Sequence, residues 1–227
     1  MTSSRERLAL ALDVPDLGEA LELARRLDPW FGVAKVGLEL HAAAGREAVE
    51  RLHDLGWRVF LDVKLHDIPT TVGRACRILG GLGVGYVTVH CAGGVEMLRA
   101  AVEGLGEGAA AAGCDPALAL GVTVLTSEPD AAVFPARLAA AVEAGCGGVV
   151  CSADEVGSLR AAHPGLVTVV PGIRLEGGPA HDQARVGDPA TVARLGADLL
   201  VVGRAVTAAA DPAGTAARIA AAVEGAA

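Results

Sequence analysis

The chain has 227 residues and a formal net charge of -8 at pH 7, with 52% hydrophobic but only 3% aromatic residues. A chain of this length suits one domain and hides roughly 70% of its unfolded surface, here with the small branched side chains typical of parallel α/β layers. The acidic balance excludes a nucleic-acid binder built on a basic stripe, and no apolar run nears the roughly 20 residues of a membrane span. A phosphorylated small molecule stays open, because a few local cations decide that. The opening residues lack the small-residue cleavage pattern of a signal peptide. Cys76, Cys91, Cys114, Cys146 and Cys151 form an odd set without a C-x-x-C pair, which reads as reduced, mostly buried thiols of a cytoplasmic protein.

Short β-rich runs alternate with amphipathic helical stretches from end to end. Strands are expected at 8–12, 33–36, 59–63, 86–89, 118–124, 148–151, 167–170 and 199–202. Helices are expected at 17–27, 46–55, 69–79, 95–104, 134–144 and 154–162. Such alternation predicts βαβ units and a parallel sheet. Eight units with no linker or composition break predict a closed (β/α)8 TIM barrel, one domain over residues 1–227. An open doubly wound sheet needs a glycine-rich nucleotide fingerprint after the first strand, where Asp13-Val14-Pro15-Asp16 stands instead. The glycine-rich stretch 104–113 reads as a mobile loop, and a long loop is expected between Pro171 and the last strand.

In a barrel of this kind the chemistry sits at the C-terminal ends of the strands. The first strand closes at Asp13, the second carries Lys35, and the third runs through Asp62 and Lys64 toward Asp67. Residues two apart on a strand share a face, so Asp62 and Lys64 point inward together while Leu61 and Val63 face the helices. Of the 19 basic residues, 17 are arginine, and both lysines fall in this cluster. A lysine ammonium gives up a proton far more readily than a guanidinium. The set Lys35, Asp62, Lys64 and Asp67, four ions converging at a barrel mouth, is costly to bury as mere structure, since each loses several kcal/mol of hydration. These ions therefore mark a catalytic site.

The other end of the expected site is cationic. The seventh strand runs into Pro171-Gly172-Ile173-Arg174 and the eighth into Gly203-Arg204. Barrels often bind phosphate in the loops after these two strands. Glycine permits close backbone approach, and arginine offers a charge-assisted fork.

The run Leu61-Asp62-Val63-Lys64-Leu65-His66-Asp67-Ile68-Pro69-Thr70-Thr71-Val72 resembles the signature of the orotidine 5'-phosphate decarboxylases. Supporting segments in family order include Lys35-Val36-Gly37-Leu38-Glu39-Leu40, Val89-His90-Cys91-Ala92-Gly93-Gly94, Asp182-Gln183-Ala184-Arg185 and Val201-Val202-Gly203-Arg204. The resemblance implies decarboxylation of orotidine 5'-monophosphate to uridine 5'-monophosphate without metal or cofactor. It implies Lys64 as proton donor to C6, Asp62 beside the departing carboxylate, and Lys35 and Asp67 completing an alternating charged array. It further implies a homodimer with shared sites, Asp67 and Thr71 reaching the partner's nucleotide. Asp13 would bind ribose hydroxyls and Thr126 the pyrimidine. Gln183, Gly203 and Arg204 would hold the phosphate, with Arg174 supporting that loop. Two departures, a short stretch between Thr126 and Gly148 and a glycine-rich 175–180 loop, bear on loop closure and affinity rather than chemistry.

The six histidines form no metal-ligand spacing on one element and read as satisfied structural residues. Trp30, Trp57 and Tyr86 read as packing between helices and barrel. The rival functions are a Mg2+-dependent sugar-phosphate decarboxylase or aldolase on a related barrel, and a catalytically silent nucleotide-binding barrel.

Overall fold

A barrel wall is covered on both sides, by helices outside and by its own packed interior, so its strands carry two sets of apolar side chains. The computed structural model of this chain describes residues 3–125, 128, 132–175 and 187–226. Its strands are β1 (Leu8–Ala11), β2 (Val33–Gly37), β3 (Arg58–Leu65), β4 (Tyr86–His90), β5 (Leu118–Val122), β6 (Gly148–Val150), β7 (Val167–Val170) and β8 (Leu199–Val202). They close into an all-parallel barrel in sequence order, β8 pairing back onto β1 through Leu8↔Leu200 and Leu10↔Val202. The helices are α1 (Leu17–Leu27), α2 (Leu38–Asp54), α3 (Pro69–Gly80), α4 (Gly94–Ala112), α5 (Phe134–Glu143), α6 (Ala153–Ala162), α7 (Pro189–Arg194), α8 (Arg204–Thr207) and α9 (Pro212–Glu224). The TIM barrel expected from the alternation is the observed fold.

The period-two pattern divides the core in two. Leu8 and Leu10 of β1, Val59 and Leu61 of β3, and Leu200 and Val202 of β8 pack outward against the helices. Ala9, Ala11, Val33, Phe60, Tyr86, Leu120, Val169, Leu199 and Val201 fill the interior. Tyr86 thus corrects the expectation that it packs between helices and barrel. It begins β4 on the inward phase, meets Phe60 edge-on at 5.8 Å and lies under the Arg58 guanidinium. Trp57 is buried in the outer layer, as expected. All five cysteines are free. Burial pushes the Cys76 and Cys91 thiols up to about 12, leaving them inert small hydrophobes.

Two helix boundaries differ from expectation. The α2 run starts at Leu38 and is kinked at Gly45, whose φ of 54° is open to glycine; the expected helix corresponds to its second half. The stretch 104–113 is no loop: α4 continues to Ala112 and ends on Gly113 in the left-handed conformation. Its glycines serve close packing. A Cβ on Gly104 would stand 2.3 Å from the Gly73 carbonyl oxygen, and one on Gly108 2.0 Å from that of Arg77. Tertiary contact between α3 and α4 therefore overrides the poor helix propensity of glycine. No helix among the described residues is long and apolar enough to cross a membrane.

The same helix contains its own control, since a Cβ on Gly106 would meet nothing within 4 Å. Gly104→Ala is expected to destabilise by about 1–3 kcal/mol through overpacking, and Gly106→Ala to stabilise by roughly 0.5–1 kcal/mol through helix propensity. Urea unfolding midpoints of the two variants should move in opposite directions.

Candidate active site

Strand alternation points Lys35 and Gly37 of β2, Asp62 of β3 and Thr88 of β4 toward the barrel axis at its C-terminal mouth, above the apolar interior. There the charges form a chain. Lys35 Nζ donates to Asp13 Oδ1 at 2.9 Å and lies 3.3 Å from Asp62 Oδ2. Lys64 Nζ donates to Asp62 Oδ1 at 2.8 Å. Asp13, Lys35, Asp62 and Lys64 thus alternate in sign across three neighbouring strands. Lys35 is the buried member, its side chain 9% exposed, and it is held between two carboxylates. Such pairing with hydrogen bonds is what makes a buried ammonium tolerable.

Lys64 is held unusually. It is the only non-glycine residue among those described with a positive φ, 47°, a region costly for a side-chain-bearing residue and typical of functional sites. The cause is a bulge: Leu61 pairs with Val87 and Leu65 with Val89, so four steps of β3 span what two cover on β4. Burial alone would raise the Asp62 carboxyl. The ammonium charges of Lys35 and Lys64, with hydrogen bonds from Lys64 and Thr88, outweigh that and hold its pKa below the ordinary 3.8.

These groups line one side of a cavity of about 960 Å3. Pro171, Gly172, Ile173 and Arg174 after β7, and Gly203 and Arg204 after β8, line the same cavity. Gly172 adopts φ 78°, which lets the chain turn there, and Arg174 N–H donates to the Gly187 carbonyl at 3.1 Å. The cavity therefore joins an alternating ionic array to an arginine-bearing end, with Phe60, Val122, Val150 and Val169 as apolar floor.

Of the residues singled out by sequence, Asp13, Lys35, Asp62, Lys64, Arg174, Gly203 and Arg204 converge on this cavity. Asp67 and Thr71 do not. Asp67 is exposed and its Oδ1 accepts from the N–H of Ile68 at 2.6 Å, while Thr71 sits exposed in the first turn of α3. Thr126 and Gln183 lie outside the described residues. His66 and His90 stack at 5.4 Å near the mouth. Burial, then the nearby His66, Arg137 and Lys64 charges, lower the His90 pKa below its ordinary value. His41 corrects the expectation of satisfied histidines, since its Nδ1 is buried without a partner among the described residues.

Two contributors were missed. A Cβ on Gly37 would stand 2.4 Å from Asp13 Oδ1 and 3.1 Å from Lys35 Nζ, so the Asp13–Lys35 ion pair exists only beside a glycine. Thr88 Oγ1 touches both Asp62 and Lys64. Strand alternation carried the signal for both, since each falls two residues from an inward neighbour.

A closed barrel with alternating ions around a buried ammonium at its C-terminal mouth, and arginines lining the same cavity, defines an enzyme of the (β/α)8 class acting on a small anionic substrate. Within that class, residues 6–219 match the model of the orotidine 5'-phosphate decarboxylase / HUMPS family, and the chain belongs to it. It is 49% identical to an orotidine 5'-phosphate decarboxylase of Anaeromyxobacter dehalogenans over 95% of this chain and 97% of that one. It is 43% identical to one from Pseudomonas putida over 99% and 100%. The crystal structure of orotidine 5'-phosphate decarboxylase from Lactobacillus acidophilus superposes with a TM-score of 0.79 at 31% identity, covering 96% of this chain and 99% of that one.

Because the Asp62 pKa is depressed in the folded state, its ionised form contributes stability above the ordinary value, and that contribution is lost as pH falls through the native value. The stability difference between the native protein and Asp62→Asn should therefore shrink as pH falls from about 5 to below the ordinary aspartate range. Denaturant midpoints at each pH measure it.

Proposed function

We infer that this chain removes CO2 from orotidine 5'-monophosphate to give uridine 5'-monophosphate, in pyrimidine nucleotide synthesis, with Lys64 as the proton donor. The observation that carries the roles is the Asp13–Lys35–Asp62–Lys64 chain in the same cavity as Arg174 and Arg204. The family membership and the named relatives support the reaction.

The chemistry needs what this arrangement offers. When the bond from C6 to the carboxylate breaks, the electron pair stays in an in-plane orbital at C6 that the ring π system cannot delocalise. Stabilisation must be electrostatic, from a cation already in place. The Lys64 ammonium supplies that charge and then passes a proton from Nζ to C6 as CO2 departs. Asp62 sits beside Lys64 and keeps it in the ammonium form by opposite charge, and it faces the leaving carboxylate. Lys35 anchors Asp62 from its other oxygen. Asp13 receives ribose hydroxyls. Arg204, the backbone at Gly203, and Gln183 hold the phosphate, with Arg174 beside them and Thr126 at the pyrimidine. Binding energy gathered at the phosphate, remote from C6, helps assemble the reacting end.

Asp67 and Thr71 belong to a neighbour's site in this reading. Their exposure outside their own cavity, with exposed Ile68 between them, supports a homodimer in which each protomer completes the other. The protein works in the cytoplasm.

Two measurements test these roles. In EDTA, the native protein is expected to decarboxylate orotidine 5'-monophosphate, followed by loss of orotate absorbance, and Lys64→Ala to lose at least about a thousandfold in rate. Activity restored only by Mg2+ and only with a sugar phosphate would move the chain to metal-dependent barrel chemistry. Mixing inactive Lys64→Ala and Asp67→Ala protomers should create heterodimers with one intact site, recovering about a quarter of native activity after full exchange. No recovery after proven exchange would refute the shared site.

A further inference from the structure

We propose that Thr88 is a positioning residue of this site, whose hydroxyl ties the backbone of Lys64 to the carboxylate of Asp62 and so fixes where the Lys64 ammonium stands. This rests on Lys64 being the proton donor. Thr88 is fully buried on β4. The Lys64 N–H donates to Thr88 Oγ1 at 2.9 Å, and Thr88 Oγ1 lies 3.1 Å from Asp62 Oδ1. That same carboxylate oxygen accepts from Lys64 Nζ at 2.8 Å. Backbone and side chain of one lysine are therefore joined in a closed ring through two other residues.

The direction of each bond in the ring is determined. A backbone N–H only donates and an ionised carboxylate only accepts. The Thr88 oxygen receives the Lys64 N–H, so its one proton points to Asp62. A threonine is suited to the place because it alone on β4 faces the bulge. Val87 and Val89 on either side pack outward against the helices, and the register between them leaves residues 62 to 64 opposite residue 88. Lys64 holds a φ of 47° there, a conformation that persists only where surroundings over-determine it. The Thr88 hydroxyl is one such determinant.

Removing the hydroxyl while keeping its shape leaves a buried N–H and a carboxylate oxygen each short of one partner. The ammonium then shifts relative to the reacting carbon, while Arg174 and Arg204, which Thr88 does not touch, stay as they are. The effect falls on turnover rather than on substrate capture.

The experiment compares Thr88→Val, Thr88→Ser and Lys64→Ala for kcat, KM and Tm with orotidine 5'-monophosphate. Thr88→Val should lower kcat by roughly tenfold to a hundredfold, the scale of an ångström of misplacement, with KM little changed. Thr88→Ser, which keeps the hydroxyl and loses the methyl, should regain most of that loss. Should Thr88→Val not fold, Thr88→Ala takes its place and is expected to fall below Thr88→Ser in the same way. Native-like kcat in the variant lacking the hydroxyl, or an equal fall in Thr88→Ser, overturns the positioning role if Lys64→Ala is inactive. Native-like kcat in Lys64→Ala overturns instead the assignment of Lys64 on which the role rests.

Discussion

An ammonium group almost without solvent, held between two carboxylates, is the constraint around which this barrel mouth is built. Lys35 donates to Asp13 and sits against Asp62, and it survives burial because both carboxylates pair with it. Each consequence follows from that demand for pairing. Asp62 must stay ionised despite its burial, and the two ammonium groups beside it ensure that. Gly37 must lack a side chain, since a Cβ would occupy the place of the Asp13 oxygen. Lys64 completes the alternation with a side chain 33% exposed against 9% for Lys35, open enough to meet a substrate.

Barrel closure supplies the precision that the ion chain requires. Parallel strands in sequence order place β1, β2 and β3 side by side, so the charged residues at their C-terminal ends meet at one mouth. The bulge in β3 then departs from regular pairing just where polar groups take over from apolar ones. Below it, Phe60 and Tyr86 pack edge to face in the dry interior. Within it, Asp62 and Lys64 turn into the cavity. Strain in the Lys64 backbone is accepted there because hydrogen bonds and ion pairs surround it on several sides.

Two ends of one cavity divide the work. In the proposed reaction the ionic array offers fixed charge beside the reacting carbon, and the arginine-bearing loops after β7 and β8 offer cations to a phosphate. A net charge of -8 does not oppose this, because attraction is local and the far surface is screened within about 10 Å at moderate salt. The outward layer, including the close contact of α3 with α4, holds the strand ends in place without entering the chemistry.

The sequence by itself determined the barrel, through eight alternating units, and named the ionic array, through two lysines set among carboxylates at strand ends. It also carried the family signature that the whole-chain match bears out. Period-two alternation was enough to point Asp62 and Lys64 the same way. It could not show that a bulge and a positive φ achieve this, because register is set between strands and not within one. The stretch 104–113 reads as a loop by propensity and becomes helix by contact, since glycine's cost in a helix is local and its value in close packing is not. Alternation puts Gly37 and Thr88 on the inward face but gives them no role: a missing side chain and a single hydroxyl gain meaning only when β1 and β3 bring charges against them. Only the tertiary structure decided that Asp67 and Thr71 stand outside their own cavity, because the direction of a loop after a strand depends on what that loop packs against.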